Sequence, residues 1–425
     1  MKCAFKTVRR VTMKCCHFRT RRNPGALVLL LTGVCLAGGQ SAGPIATTMA
    51  NPSPTPVNPP GMVTSPHPVI RARTPVGIPD IPGFVTLKCD FHMHTVFSDG
   101  LVWPSVRAEE AWREGLDAIA ITDHLEYQPH KEDVSTNHNR AYEIARGTGD
   151  ALDLLVIRGS EITRQMPPGH LNAIFLTNSA SLAVTNWRDA ITVAHQQDAF
   201  IFWNHPGWDA QTTNGLVLWY PEHTELLNAG ILHGIEVVNG RDYYPEAHAW
   251  AIEKNLAMLS NSDIHDPLNL DYQVHQGDHR PLTLVFAKER TLESLKQALF
   301  ARRTAVYSGN WLIGSEQFLR PIFTRSVAVK NPSFSLKAKQ RALVQIHNHS
   351  EVDYLLKAAG TLPEVSFAQD VRLPAGKTVL LPVTGKTTTE KGKKKISLPY
   401  TVANLLVRPN EPLPVTLDLD IALIP

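Results

Sequence analysis

From Phe84 to about Gly314 the chain repeats one pattern: a short, almost unbroken apolar run, then a longer segment with apolar positions at helical spacing. The apolar runs fall at 85–89, 118–122, 154–158, 172–176, 199–203, 235–238, 257–259 and 282–287. Between them, 104–114 opens on a proline that a first helical turn tolerates and ends at Gly115. Segments 189–197, 245–254 and 291–301 have the same character. Short strands that are apolar on both faces and alternate with helices predict a parallel sheet covered on both sides. Seven or eight such units predict a closed β/α barrel.

The texture changes near Ser326. Segments 327–330, 341–347, 371–373, 378–383 and 414–424 read as strands separated by turns, with little helical periodicity, so a small all-β, sandwich-like domain is expected over 321–425. The lysine-rich run 385–395 reads as a solvated loop, and the His347/His349 pair reads as structural because no partner ligands stand near it in sequence. Ahead of the barrel, residues 44–82 are rich in proline, serine and threonine and read as an extended linker. Residues 1–43 read as an export signal region: a basic stretch, an apolar run from Ala26 to Ala37 and small residues after it. That run is shorter than the ~20 residues a bilayer span needs, so no membrane span is expected once the signal is removed. The domains expected are therefore 1–43, 44–82, 83–320 and 321–425.

Charge supports this division. Of the 42 Lys and Arg residues, eight lie within 1–40, where no acidic residue occurs; the remainder carries 34 basic against 39 acidic groups, a net −5. A body of that balance has no general attraction to nucleic acid. Four of the five cysteines also lie in the leader, so Cys89 has no partner for an internal disulfide after cleavage.

The chemistry is carried by position. His92 and His94 follow the first apolar run, Asp123 and His124 the second, Glu161 the third, His205 the run 199–203, and Asp263 and His265 the run 257–259. In a β/α barrel the C-terminal ends of parallel strands meet on one face, where active sites are built. Donors from five regions of the sequence are thereby expected in one place. Mixed imidazole and carboxylate suits Zn, Mn or Fe, and more than four donors imply more than one ion, with Glu161 free to bridge. Closely spaced divalent ions suit phosphoryl transfer.

These motifs have a familiar order. Asp90-Phe91-His92-Met93-His94, Ser98-Asp99-Gly100, Thr122-Asp123-His124, Gly159-Ser160-Glu161, Asn204-His205-Pro206 and Ser262-Asp263-Ile264-His265 together resemble the PHP (polymerase and histidinol phosphatase) family over about residues 84–314. The resemblance implies a distorted (β/α)7 barrel with two or three divalent metal ions. Carried over motif by motif, it implies His92, His94, Glu161 and Asp263 around one ion, Glu161 bridging to a second at His170 and His205, and Asp99, His124 and His265 around a third. Asp99 stands where some members have histidine. The export signal, Trp103-Pro104, the run 126–130, Pro167-Pro168-Gly169-His170 and the run 203–208 look most like exported bacterial phosphodiesterases of this family.

The expected function is hydrolysis of small organic phosphodiesters by metal-activated hydroxide attack on phosphorus, in a periplasmic or secreted enzyme with a small-molecule substrate. Phosphomonoester hydrolysis on nucleotide or sugar phosphates and a non-catalytic PHP-like binding module are the alternatives. Arg164, His170 and Asp263 are expected to act on the ester directly, Arg164 as a bidentate phosphate ligand whose competing role is a surface ion pair. Asp123 is expected to orient His124 or to cap a helix. His130, His138 and Arg140 are placed on a polar loop, and Trp203, Trp208, Trp219, Tyr243 and Tyr244 are candidates for an apolar wall.

Overall fold

The computed structural model of the chain describes residues 71–212, 215–387 and 391–424. The leader expected at 1–43 and the linker residues up to 70 lie outside the described residues.

Seven strands make the barrel wall. In order these are β1 (Val85–Asp90), β2 (Ala118–Ile121), β3 (Leu155–Ile162), β4 (Leu171–Ile174), β5 (Phe200–Trp203), β6 (Gly234–Asn239) and, after a two-residue return β7 (Asp242–Tyr243), β8 (Ala257–Asn261). β1, β2 and β3 pair in parallel, as do β5, β6 and β8. β4 departs from the parallel expectation: it runs antiparallel to both β3 and β5. The reason is the connection. Residues 163–170 contain no helix, and a short helix-free link returns a strand antiparallel, whereas a parallel return needs a crossover of a dozen or more residues.

Closure uses the ends of two strands. Beyond β1 and β8 the chain continues as a parallel bridge between Met93 and Ile264, with Asp263 N–H donating to His92 O at 2.8 Å and His94 N–H to Ile264 O at 3.0 Å. Lower down, β1 pairs instead with β9 (Leu282–Ala287), antiparallel, and the sheet runs on through β10 (Thr304–Ser308) and β11 (Trp311–Gly314). The wall thus closes where the ligand-type residues leave the strands.

Alternate residues of each strand fill the interior. Small Ala118 and Ala120 face a cluster containing Leu87, Cys89, Phe91, Phe200, Phe202 and Leu259, all buried. The Cys89 thiol is free, fully buried, and pushed up by that burial. Outside lie α1 (Pro104–Arg113), α2 (Arg140–Leu152), α3 (Trp187–Gln196), α4 (Pro221–Asn228), α5 (Pro245–Glu253), a single turn α6 (Leu268–Asp271) and α7 (Leu292–Phe300). Arg140 opens α2 rather than lying in a loop. That helix buries only Ala141, Ala145 and Gly149, so its apolar stripe is too weak to read as a period. A Cβ on Gly149 would meet Val156 at 2.4 Å, so the missing side chain lets helix and strand approach.

Helix α8 (Glu316–Ser326) crosses the boundary expected at 320 and leads into the β-rich region. Two sheets face each other there: one contains Ser333–Lys337, Tyr354–Ala358, Asp370–Leu373, Gly392–Arg408 and Glu411–Ile424, the other Val327–Val329, Arg341–Asn348, Val365–Phe367 and Thr378–Gly385. Along Glu411–Ile424 burial alternates residue by residue, the mark of one packed and one solvated face. Its partner strand pairs in parallel with β11 through Leu312–Leu405 and Ile313–Leu406, which joins this sheet to that of the barrel.

Two further expectations are corrected. Lys393, Lys394 and Lys395 belong to a strand, paired with 420–422, and Lys395 lies 2.8 Å from Asp418. Residues 74–81 are no solvated tether: Ile78 and Ile81 are buried, Thr74 N–H donates to Arg113 O, and Gly77 N–H donates to the Glu351 carboxylate. His347 and His349 lie on the β-rich side, with His347 beside Thr378 and His349 beside Lys330.

Candidate metal centre

The strand ends deliver nine side chains to one pocket. His92 and His94 leave β1 two apart, so both project to one side. His124 leaves β2 and bridges backbone to Glu161, which still lies within β3. His170 immediately precedes β4, and because β4 runs antiparallel its beginning lies at the same end as the others. His205 follows β5; Asp263 and His265 follow β8; Asp99 comes from the turn beyond β1.

Three donor groups result, each with its ligand atoms within 4.8 Å of one another: His92, His94, Glu161 and Asp263; Glu161, His170 and His205; and His94, Asp99, His124 and His265. In the first, His92 Nε2 lies 3.0 Å from both Glu161 Oε2 and Asp263 Oδ1, and His94 Nε2 lies 3.2 and 3.0 Å from the same two atoms. In the second, Glu161 turns Oε1 toward His170 Nδ1 and, at 3.9 Å, His205 Nε2. In the third, Asp99 Oδ1 lies 3.4 Å from His124 Nε2 and 3.3 Å from His265 Nε2. Glu161 therefore belongs to two groups through different oxygens, and His94 belongs to two as well.

The electrostatics fit a site built for cations. Burial drives the His92 imidazole down, yet Asp263, Glu236 and Glu161 outweigh it and hold the group well above its ordinary range. Burial would raise Glu161, but His124, His170 and His92 hold it well below the usual carboxylate range, and His92, His94 and His205 do the same for Asp263. Four atoms in this pocket, His94 Nε2, Asp99 Oδ1, Glu161 Oε1 and His170 Nδ1, are buried without a hydrogen-bond partner. Buried polar atoms are ordinarily paired. Lone pairs gathered this closely, without hydrogen-bond geometry, are what divalent ions satisfy, so the residues fit the group.

A surrounding set of polar groups fixes the donors. Glu236, fully buried in β6, takes His92 Nδ1–H at 2.9 Å, leaving Nε2 to face the pocket. Its carboxylate also accepts from His205 N–H at 2.7 Å, Asn239 Nδ2 at 2.8 Å and Asn261 Nδ2 at 2.9 Å. His205 and Asp263 both have left-handed backbone, φ 27° and 53°. Such positions cost a side-chain-bearing residue about 1–3 kcal/mol and persist where neighbours enforce them. Here the Glu236 carboxylate pins one N–H and His92 O pins the other. Arg107, buried on α1, donates to the carbonyls of His94, Ile264 and His265 and so clamps the two halves of the closure. Arg280, also buried, bridges Asp90 and Glu114, while Asp90 accepts from Ser262 Oγ at 2.5 Å.

Several expected roles change. Arg164 ion-pairs with Glu126 and donates to the carbonyls of Thr163 and Val184; it ties the loops after β2 and β3 together, and its guanidinium is committed away from a phosphate. Asp123 accepts from Thr95 N–H, Thr95 Oγ1 and Ser98 Oγ, each at 2.7 Å, and thus holds the turn that carries Asp99 rather than orienting His124 or capping a helix. His130 and His138 remain outside the three groups. Of the expected wall, Trp203 is buried and stacked at 3.7 Å on His223, with Trp219 and Trp250 packed around it, and Tyr244 is buried. Trp208 alone of that set meets the site's rings, 5.2 Å from His205 and 5.6 Å from His170. The residue missed by reading the sequence was Glu236; a lone carboxylate inside the apolar run 235–238 was its one visible sign.

A seven-stranded barrel with three ligand groups at its strand ends defines a metal-dependent hydrolase. A solved structure from Bacteroides vulgatus, described as a two-domain protein containing a predicted PHP-like metal-dependent phosphoesterase, is similar at 44% identity with a TM-score of 0.78, over 82% of this chain and 100% of that one. The chain belongs to this PHP-like metal-dependent phosphoesterase family, in agreement with the resemblance in its motifs. Residues 327–418 match a family model described as an Ig-like domain, the β-rich region of the fold. A protein of Methanocaldococcus jannaschii, described as uncharacterized, is 37% identical over 82 residues, 19% of this chain; the chain spans about a third (36%) of that relative's length.

Proposed function

We propose that the protein is an exported phosphodiesterase acting on small organic phosphate diesters. The observation that carries this reading is the convergence of three donor groups sharing Glu161 and His94 in one pocket. His92, His94, Glu161 and Asp263 would hold one divalent ion, Glu161, His170 and His205 a second, and His94, Asp99, His124 and His265 a third; the imidazole and carboxylate mixture suits Zn, Mn or Fe. When bound, such ions supply Lewis acidity toward phosphoryl oxygens and lower the pKa of water.

The chain's own residues provide the rest. Glu236 and Asp123 orient the donors, and Arg107 keeps the closure shut beneath them. His92, His94 and Glu161 are sealed from solvent, whereas His265 and Asp99 are 35% and 27% exposed, so substrate reaches the pocket from the side of the third group. In the reaction, water oxygen replaces one ester oxygen on phosphorus, and the departing alkoxide takes up a proton. The commitment of Arg164 to Glu126 supports a diester: a diester carries one negative charge, and a monoester dianion would gain more from a free guanidinium there.

Purified protein is expected to hydrolyse bis(p-nitrophenyl) phosphate faster than p-nitrophenyl phosphate, to lose activity on chelation, and to recover it on adding back Mn, Zn or Fe. The reverse preference would support the monoesterase reading. Full activity after exhaustive metal removal would overturn the metal-dependent mechanism, and absence of hydrolysis of either ester by metal-replete protein would leave a binding module.

A further inference from the structure

We infer that Trp208 and Tyr127 form a two-sided aromatic grip on the organic arms of the substrate, so that the site selects phosphate diesters with two aryl or similarly bulky apolar substituents; this rests on the phosphodiesterase reading above. The two side chains flank the donors. Successive ring contacts at 5.6, 6.0 and 6.4 Å link Trp208 to His170, His170 to His124 and His124 to Tyr127, so each aromatic residue borders a different ligand-type imidazole. Trp208 touches His170 and His205 of the second donor group, and Tyr127 touches His124 of the third.

Neither ring serves the core. Trp208 is 45% and Tyr127 53% exposed, while the nearby Trp203, at the end of β5, and Trp219 pack against each other. Their supports are nevertheless firm. The turn carrying Trp208 is seated through Gly207, where a Cβ would collide with the Tyr244 ring at 2.5 Å, and is tied by Gln211 Nε2 donating to Arg164 O at 3.0 Å. Tyr127 lies between Glu126, which pairs with Arg164 and accepts from Thr163 N–H, and Gln128, which donates to Phe97 O. Leu101, 59% exposed, extends the apolar rim beside the third group, its N–H donating to His265 O at 2.8 Å.

Solvent-exposed aromatic rings held in place at the edge of a polar pocket are the arrangement of a ligand site, where apolar walls bury the body of the ligand and a few polar groups orient it. The chemistry of a phosphodiester matches this layout. Its two non-bridging oxygens carry the charge and are drawn to the donor groups. Its two ester arms diverge from phosphorus, and the two rings, bordering different donor groups, are available to receive one each.

The test is calorimetric binding of diphenyl phosphate and dimethyl phosphate to metal-replete protein, alongside hydrolysis of bis(p-nitrophenyl) phosphate and p-nitrophenyl phosphate. Wild type is expected to favour diphenyl over dimethyl phosphate. Trp208→Ala and Tyr127→Ala should each shrink that preference about two- to tenfold, the range for one aromatic contact, and Trp208→Phe should retain most of it. Metal content at the wild-type level certifies each variant; Trp208→Leu and Tyr127→Leu, which keep bulk without the ring, replace an alanine variant that loses metal. An unchanged preference in variants of an enzyme that hydrolyses diesters would overturn the grip alone. Hydrolysis confined to the monoester would overturn the diesterase reading instead, whatever the calorimetry shows.

Discussion

Glu236→Gln is the substitution that tests the metal centre most directly, because it changes one atom in a residue that touches no ion pocket by itself. Each carboxylate oxygen of Glu236 accepts two donors: Oε1 takes His92 Nδ1–H and Asn261 Nδ2, both at 2.9 Å, and Oε2 takes His205 N–H at 2.7 Å and Asn239 Nδ2 at 2.8 Å. An amide has one oxygen. In either orientation its NH2 faces two donors, and the charge that strengthened all four bonds is gone. Hydrogen bonds to charged groups are worth about 1.5–3 kcal/mol, and 1.36 kcal/mol is a factor of ten. Losing the orientation of His92 and His205 together should therefore weaken metal binding about 10- to 100-fold, the range found when a carboxylate partner of a ligating histidine is removed. The assay is chelator competition for Mn or Zn, with circular dichroism to confirm the fold. The loss should fall on the ions held by His92 and His205, while the Asp99 group, which Glu236 does not contact, keeps its affinity. An E236Q protein within twofold of wild type at every ion would refute the argument that Glu236 fixes the ligands.

Two other outcomes follow. His223 is buried between Trp203 and Tyr220, with Nε2–H donating to Pro168 O, and burial pushes it from 6.5 down to about 4. The unfolded imidazole takes a proton below 6.5 and the folded one does not until about 4, so this contribution is fully present above pH 6.5 and is lost as pH falls toward 4. At 1.36 kcal/mol per pH unit it is on the order of 3 kcal/mol. His223→Gln keeps a donor for Pro168, and urea midpoints of wild type and variant should converge as pH falls from 7.5 to 4.5; a pH-independent gap would contradict the linkage. For the exported state proposed above, the mature N-terminus of protein recovered outside the cytoplasm should lie near residue 43, and an intact Met1 in that fraction would refute cleavage.

The ligand set was legible because metal donors that share a pocket must leave the ends of neighbouring strands, and the apolar runs marked those ends. Two-residue spacing sufficed for His92 with His94 and Asp263 with His265. The spacing of His170 had no such explanation until β4 was seen to run antiparallel, which brings the start of a strand to the face where the others finish. Glu236 was hidden for the opposite reason: it lies inside a strand, where the apolar run around a carboxylate signals burial but not which side chain it orients. Arg164 and Trp203 did not take their expected roles because sequence position says which segment carries a side chain, not what it meets there. Glu126 captured the first, and His223 and Trp250 drew Trp203 inward.

By itself the sequence determined the alternation of strands and helices, the change to an all-β region near Ser326, and the ordered imidazoles and carboxylates that identify the family, since each depends on period or chemistry within a few residues. Only the tertiary structure decided that β1 leaves β9 to close against the continuation of β8, that Glu236, Arg107 and Asp123 hold the donors in place, and that Trp208 and Tyr127 border the site's imidazoles while Trp203 does not. Those outcomes rest on contacts between residues far apart in the chain, where a hydrogen bond or a packed ring forms only after many strands have met, and no local pattern encodes which of several similar side chains arrives first.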